Sequence, residues 1–314
     1  AIWHFGRMEA AEGTLGRTLN LTRTQRNLAF ARDWTFAELL EWAARTHRHR
    51  SFIEYGAERI SFNEMNRRAN RAAHNLQRLG VDAGDGVAIM MGNHPRFLEV
   101  FFATQKLGAY CVPINAGLLG DGLRYILDHS EVKAVVLDHE AAPKVAAVRD
   151  GLTRISLYVV SSDEEPAGFV RPSDMVDYTE LTLGPVGTGE NLGLTPDRTT
   201  QSLLLYTSGT TGLPKAVVTP YGSQRTKAIG LLANAQYGND DKLYTCLPLF
   251  HANALMLSVM PALWAGIPLY VSKRFSASRF FRELSECGAT AFNTVGGMIP
   301  ILLKTPPSPY DRAH

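Results

Sequence analysis

Ser202-Leu203-Leu204-Leu205-Tyr206-Thr207-Ser208-Gly209-Thr210-Thr211-Gly212-Leu213-Pro214-Lys215 carries an apolar run straight into a loop of hydroxyls and glycines. The apolar part suits a buried strand. In the loop, two glycines permit positive φ and close approach of a ligand to the backbone. Four hydroxyls and a run of N–H groups are donors suited to phosphate oxygens, and Lys215 adds a mobile positive charge. Pro214 stiffens the exit. Composition alone also fits a flexible polar loop joining two strands. The spacing does not fit a Walker A loop, which needs four residues between its first glycine and a Gly-Lys pair. No Gly-x-Gly-x-x-Gly follows a strand, so a dinucleotide-binding fold has no support.

Outward from this loop the chain alternates short apolar strands with helices. Thr35-Phe36-Ala37-Glu38 and Ser61-Phe62-Asn63-Glu64 both read as capping boxes. The second opens a helix from Phe62 to Leu79, ended by Gly80. The strand Val87–Met91 precedes a helix from Pro95 to Leu107 closed by Gly108, and strands at Ala109–Ile114, Ala134–Leu137 and Ile155–Val160 follow. Past the loop, strands are expected at Leu243–Cys246, Ile267–Val271 and Ala289–Phe292. Helices are expected at Ser223–Ala235, Ala252–Trp264 and Ser278–Glu286. This rhythm gives an α/β class with mostly parallel βαβ units. It divides the chain into an extension (1–34), a first α/β subdomain (35–160), a polar connection (161–200) with a short strand near Phe169, and a second subdomain (201–314).

Composition is that of an ordinary globular protein, 45% apolar and 20% charged. A net charge of +2 gives no electrostatic case for a nucleic-acid or membrane partner. The basic run Arg45–Arg50 reads as a solvated helix end. Three separated cysteines make no disulfide framework and fit a reducing cytoplasm. The nine histidines form no ligand pattern, and His47-x-His49 is too weak to indicate zinc. No apolar run is long enough to span a membrane, and Ala1–Arg7 lacks the order of a signal peptide.

The string Tyr206–Lys215 resembles the signature loop of the adenylate-forming superfamily. Other segments resemble its AMP-forming acyl-CoA synthetases: Gly92-Asn93-His94-Pro95, Ala103–Ala109, Val112–Asn115 and Leu247-Pro248-Leu249-Phe250-His251. Phe275-Ser276-Ala277 and Asp311-Arg312 are similar to parts of the carnitine and crotonobetaine CoA ligases, and the overall likeness extends to fatty-acid–CoA ligases. The resemblance covers about residues 35 to 314. It implies the large N-terminal domain of the adenylate-forming fold, with two βαβ subdomains whose sheets are flanked by helices.

The resemblance further implies ATP-dependent conversion of a carboxylic acid to an acyl-AMP, then transfer to coenzyme A. Thr207, Ser208, Gly209, Thr210, Thr211, Gly212 and Lys215 would cradle the leaving pyrophosphate, and Thr207 would also meet Mg2+. Lys215 and His251 would stand closest to the chemistry, His251 beside the acyl and pantetheine channel and facing a cavity lined by the helix after it. A histidine opening a helix can instead merely cap or pack. Two departures stand out. Ala216 replaces the glycine usual after the loop lysine, which would be awkward at positive φ. The family's later motifs do not appear before His314, so the chain is expected to be a fragment, inactive alone. A carrier-protein-loading adenylation enzyme and a non-catalytic acyl-adenylate-binding module remain alternatives. A homodimer is compatible with the sequence.

Overall fold

The computed structural model describes residues 34–161, 169–184, 189–207, 213–223 and 237–313. The first helix, α1 (Phe36–Thr46), starts on Thr35 with a complete capping box. Glu38 N–H donates to Thr35 Oγ1 at 3.2 Å and Thr35 N–H to Glu38 Oε2 at 2.6 Å. An antiparallel hairpin follows, β1 (Ser51–Tyr55) and β2 (Glu58–Ser61). Helix α2 (Phe62–Arg78) keeps only half of its expected box. Ser61 Oγ accepts from Glu64 N–H at 3.1 Å, but the Glu64 carboxylate turns to Arg67 and Arg68, each at 3.0 Å. Two guanidinium partners outcompete one backbone N–H for a carboxylate.

Strand β3 (Gly86–Met90) leads into α3 (Pro95–Leu107), then β4 (Tyr110–Pro113), α4 (Gly120–His129) and β5 (Val132–Asp138). Gly108 closes α3 in the left-handed region at φ 74°, and Gly80 stands after α2 at φ 95°. After the short α5 (Ala142–Ala146) come β6 (Leu157–Ser161), β7 (Val176–Asp177) and α6 (Thr179–Thr182). The short strand of the polar connection is therefore β7, and no strand forms at Phe169. Strands β8 (Gln201–Thr207) and β9 (Lys215–Pro220) flank the signature loop. The helix expected at Ser223–Ala235 falls mostly on residues outside the described set.

Strand β10 (Leu243–Thr245) precedes α7 (Ala252–Ala254), a π-helical turn at Leu255–Val259 and α8 (Met260–Ala265). The helix expected over Ala252–Trp264 thus forms, with a π-helical turn inside it. Pro261 has no N–H to give Leu257 and its ring crowds that carbonyl, which forces a wider turn. The displaced Leu257 carbonyl accepts instead from Asn293 Nδ2. The remaining elements are β11 (Leu269–Val271), α9 (Phe280–Cys287), β12 (Ala291–Phe292) and α10 (Met298–Lys304).

Two sheets result. The larger has the order β7-β6-β5-β3-β4-β8-β9 and is parallel except at β8–β9. The smaller has the order β12-β10-β11-β1-β2 and is parallel except at β1–β2. Each sheet takes strands from both sides of the polar connection, so the sheets do not follow the division of the chain. One hydrophobic core lies between them, joining α1, α2 and α3 to β10, β11 and α8. A second covers the other face of the larger sheet beneath α4 and α5. This is a mixed α/β architecture with mostly parallel sheets flanked by helices.

Candidate functional site

In a parallel sheet ligands gather beyond the carboxyl ends of the strands, and both sequence-marked segments lie there. Strand β8 is parallel to β4 and ends at Thr207. Across the antiparallel pair, Thr207 stands opposite Lys215 and Tyr206 opposite Ala216. Thr207 Oγ1 reaches the Lys215 carbonyl at 3.4 Å. Both residues are exposed where the strands enter and leave the loop. Ser208, Gly209, Thr210, Thr211 and Gly212 lie outside the described residues.

Ala216 sits in the strand, half-buried against the core of the larger sheet. Among the described residues the non-glycine with positive φ is Glu131, at φ 52°. The Ala216 Cβ therefore meets no backbone strain. Beneath the mouth, the half-buried Tyr206 hydroxyl lies 2.7 Å from His129 Nδ1 at the end of α4. Burial pushes the Tyr206 pKa above its ordinary value, so it stays a neutral phenol.

His251 follows the carboxyl end of β10 and caps α7 through extended backbone, φ −91° and ψ 143°. Its side chain accepts no helix N–H, while its own N–H donates to the Pro248 carbonyl at 3.0 Å. The ring packs on Phe250 with centroids 4.3 Å apart and is otherwise exposed. Desolvation by its neighbours lowers its pKa from 6.5, which favours the neutral imidazole at pH 7. His251 makes no hydrogen bond to Thr207 or Lys215 among the described residues. It is absent from the linings of two surface clefts, one beside Arg68 and Arg71 and the other beside Tyr270.

The residue that ties the end of β3 to the segment before His251 is Asn93, which carried no role in the sequence reading. It is 7% exposed, and its amide makes three hydrogen bonds. Asn93 Nδ2 donates to the carbonyls of Leu247 at 3.0 Å and Ser272 at 2.9 Å, and Leu249 N–H donates to Asn93 Oδ1 at 2.8 Å. One amide just beyond β3 thus fixes the backbone leading to His251 and the end of β11. Next to it, Gly92 N–H donates to Asp138 Oδ2 at 2.8 Å. The available signal was Asn93's place in Gly92-Asn93-His94-Pro95, but its partners are 154 to 179 residues away in sequence.

Among the described residues the Thr207 hydroxyl makes one long contact, to the Lys215 carbonyl. Among the described residues no group of three or more His, Cys, Asp or Glu side chains is placed to hold a metal. This donor set fits a cation that arrives with phosphate oxygens of its own, with Thr207 as a single hydroxyl ligand.

Residues 40–314 match the family described as AMP-binding enzyme. The medium/long-chain-fatty-acid–CoA ligase FadD6 of Mycobacterium tuberculosis is 32% identical over 84% of this chain and 42% of its own length. The crotonobetaine/carnitine–CoA ligase of Salmonella heidelberg is 31% identical over 81% of this chain and 48% of its own. The chain spans about half the length of these curated relatives. Among solved structures, the inhibitor-bound N-terminal domain of FACL13 from Mycobacterium tuberculosis superposes with a TM-score of 0.74 at 26% identity. That match covers 87% of this chain and 65% of the other. A long-chain-fatty-acid–CoA ligase (FadD1) from Archaeoglobus fulgidus shares the fold, with a TM-score of 0.76 at 21% identity over 87% of this chain and 54% of that one. A match over residues 40–314 places the chain in the AMP-binding enzyme family.

Proposed function

We propose that this chain is the phosphate-binding and acid-binding part of an AMP-forming acid–CoA ligase. The observation that carries the reading is the pairing of Thr207 with Lys215 at the mouth of the loop. The pairing puts a hydroxyl-bearing residue and a lysine side by side at the carboxyl end of β8, which supports the reading. In this reading the carboxylate oxygen of the acid forms a bond to the α-phosphorus of ATP, and the bond to the pyrophosphate oxygen breaks. Lys215 and the loop from Thr207 to Gly212 bind the departing pyrophosphate and neutralise its charge. That is work of positioning and charge compensation rather than of a protein nucleophile. Mg2+, when bound, supplies further charge neutralisation on the phosphates, with the Thr207 hydroxyl as its contact on this chain.

Coenzyme A thiolate then displaces AMP from the acyl-adenylate. Neutral His251 and the uncharged helix after it border the acyl channel in this account, so the acid accepted there is apolar or aromatic at that end. No helix among the described residues is long and apolar enough to cross a membrane, and a cytoplasmic location accords with the three free, buried cysteines. The test is pyrophosphate release by the intact protein across a panel of carboxylic acids, with coenzyme A and a pantetheinylated carrier protein as alternative acceptors. Acid-dependent release followed by thioester formation on coenzyme A supports the reading. Transfer only to the carrier would make the protein a loading enzyme. Tight acyl-AMP binding without turnover would make it a binding module.

A further inference from the structure

The end of β8 that carries Thr207 runs past the strand it leans on. Strand β8 pairs with β4 in the register Cys111 to Leu203, so β4 runs out at Pro113 before Tyr206 and Thr207 are reached. On its other side β8 pairs with β9, which is itself the last strand of the larger sheet. An edge hairpin that outruns its inner neighbour opens locally unless a side chain ties it down.

Tyr206 supplies such a tie. Side chains alternate along a strand, so Tyr206 and Ala216, paired across the hairpin, turn together toward the core beneath α4, and Thr207 and Lys215 take the other face. The Tyr206 hydroxyl lies 2.7 Å from Nδ1 of His129, in the last turn of α4, and the two rings meet edge-on with centroids 5.8 Å apart. The phenol, kept neutral by burial, can donate to a bare Nδ1 or accept from a protonated one.

His129 is exposed yet well fixed. Its ring lies against Tyr125, one turn back on α4, with centroids 5.1 Å apart. The carbonyl of Ser130, the next residue, accepts from the Tyr110 hydroxyl of β4 at 2.8 Å, which pins the end of α4 to the sheet. A continuous path therefore runs from β4 through the end of α4 and the His129 ring to Tyr206. We propose that His129 is a positioning residue for the loop mouth: through the Tyr206 hydroxyl it holds the end of β8, and with it Thr207 and Lys215, in place for a phosphate-bearing ligand. The tie does the work of the ladder that β4 no longer provides. It rests on the reading of Thr207 and Lys215 as phosphate-binding residues, and His129 itself touches no reacting atom.

The test compares the intact protein with His129→Leu, Tyr206→Phe, the two combined, and His129→Asn, whose amide can stand where Nδ1 does. Deuterium uptake by the backbone of residues 205–207 and 215–217 is expected to quicken about tenfold in either single loss variant, with the thermal midpoint kept. Pyrophosphate affinity, measured by calorimetry, should fall about fivefold in the same two proteins. The combined variant should be no worse than either single one, because both changes cut one bond. His129→Asn should restore both readouts. Parent-like uptake and affinity in the single variants, additive losses in the combined one, or no rescue by asparagine overturns the proposal. So does a fall in thermal midpoint without a fall in affinity, the mark of a merely packing histidine, or a parent that binds no pyrophosphate at millimolar concentration. Acid-dependent pyrophosphate release from ATP is measured separately. A parent that binds pyrophosphate but shows no such release fails as a ligase and leaves the tie standing, so the two failures are distinguishable.

Discussion

Lys106 occupies a position few lysines hold, on α3 with its side chain 1% exposed. Its ammonium donates to Glu41 at 2.7 Å and to Asn191 at 3.3 Å, joining α1 and the polar connection to α3. Burial outweighs the attraction of Glu41 and holds its pKa down to about 8, against 10.5 for the free side chain. The protonated form is thus disfavoured by folding. The penalty is full below pH 8 and fades as pH rises toward 10.5. Relative to Lys106→Met, the parent is expected to gain stability between pH 7 and pH 10. Denaturant midpoints for both proteins at the two values check this, and a pH-independent difference would contradict it. His251 makes the opposite case at the same scale. Its ring is exposed, so His251→Ala should shift stability by less than about 0.5 kcal/mol. It should nevertheless lower kcat/KM for the acid by about tenfold, an effect a merely capping histidine would not show.

Among elements, the informative one is the helix from Ala252 to Ala265 with its π-helical turn. Pro261 was visible in the sequence, and the uncharged run around it read as helix, but without the π turn. What periodicity could not show was where the displaced Leu257 carbonyl would find a donor, because Asn293 lies 36 residues on. The two residues should therefore be coupled. Asn293→Leu alone leaves a carbonyl unmet and is expected to cost about 1–3 kcal/mol. Combined with Pro261→Ala, which restores an N–H, the same change should cost less. A double-mutant cycle in urea measures the difference, and strict additivity would argue against the coupling. Asn93 acts at the same scale between the two sheets. Asn93→Ala removes a donor from two carbonyls and an acceptor from one N–H, and a loss of about 3 kcal/mol is expected from chemical denaturation. The β1–β2 hairpin escaped the sequence reading for a related reason. Its strands are short and β2 is half exposed, so alternation is faint, and its place beside β11 is set by pairing across more than 200 residues.

For the whole molecule, the sequence carried the class, most strands, the helix stops at Gly80 and Gly108, and the strand–loop that leads to the family. It did not carry sheet membership, because β1 and β2 join β10, β11 and β12 while β8 and β9 close the larger sheet. Local propensity is blind to such long-range pairing. The consequence is functional. The loop mouth and His251 follow strands of different sheets, and Asn93, just beyond β3 of the larger sheet, binds the backbone that leads to His251. Acid-dependent ATP–pyrophosphate exchange, measured on the intact protein and on Lys215→Met, decides whether Lys215 serves the adenylation step. Exchange is expected to require a carboxylic acid and to fall at least about a hundredfold in the variant, the effect of losing a charge contact made in the transition state. Exchange that does not depend on the acid, or that proceeds equally well without the Lys215 ammonium, would contradict it.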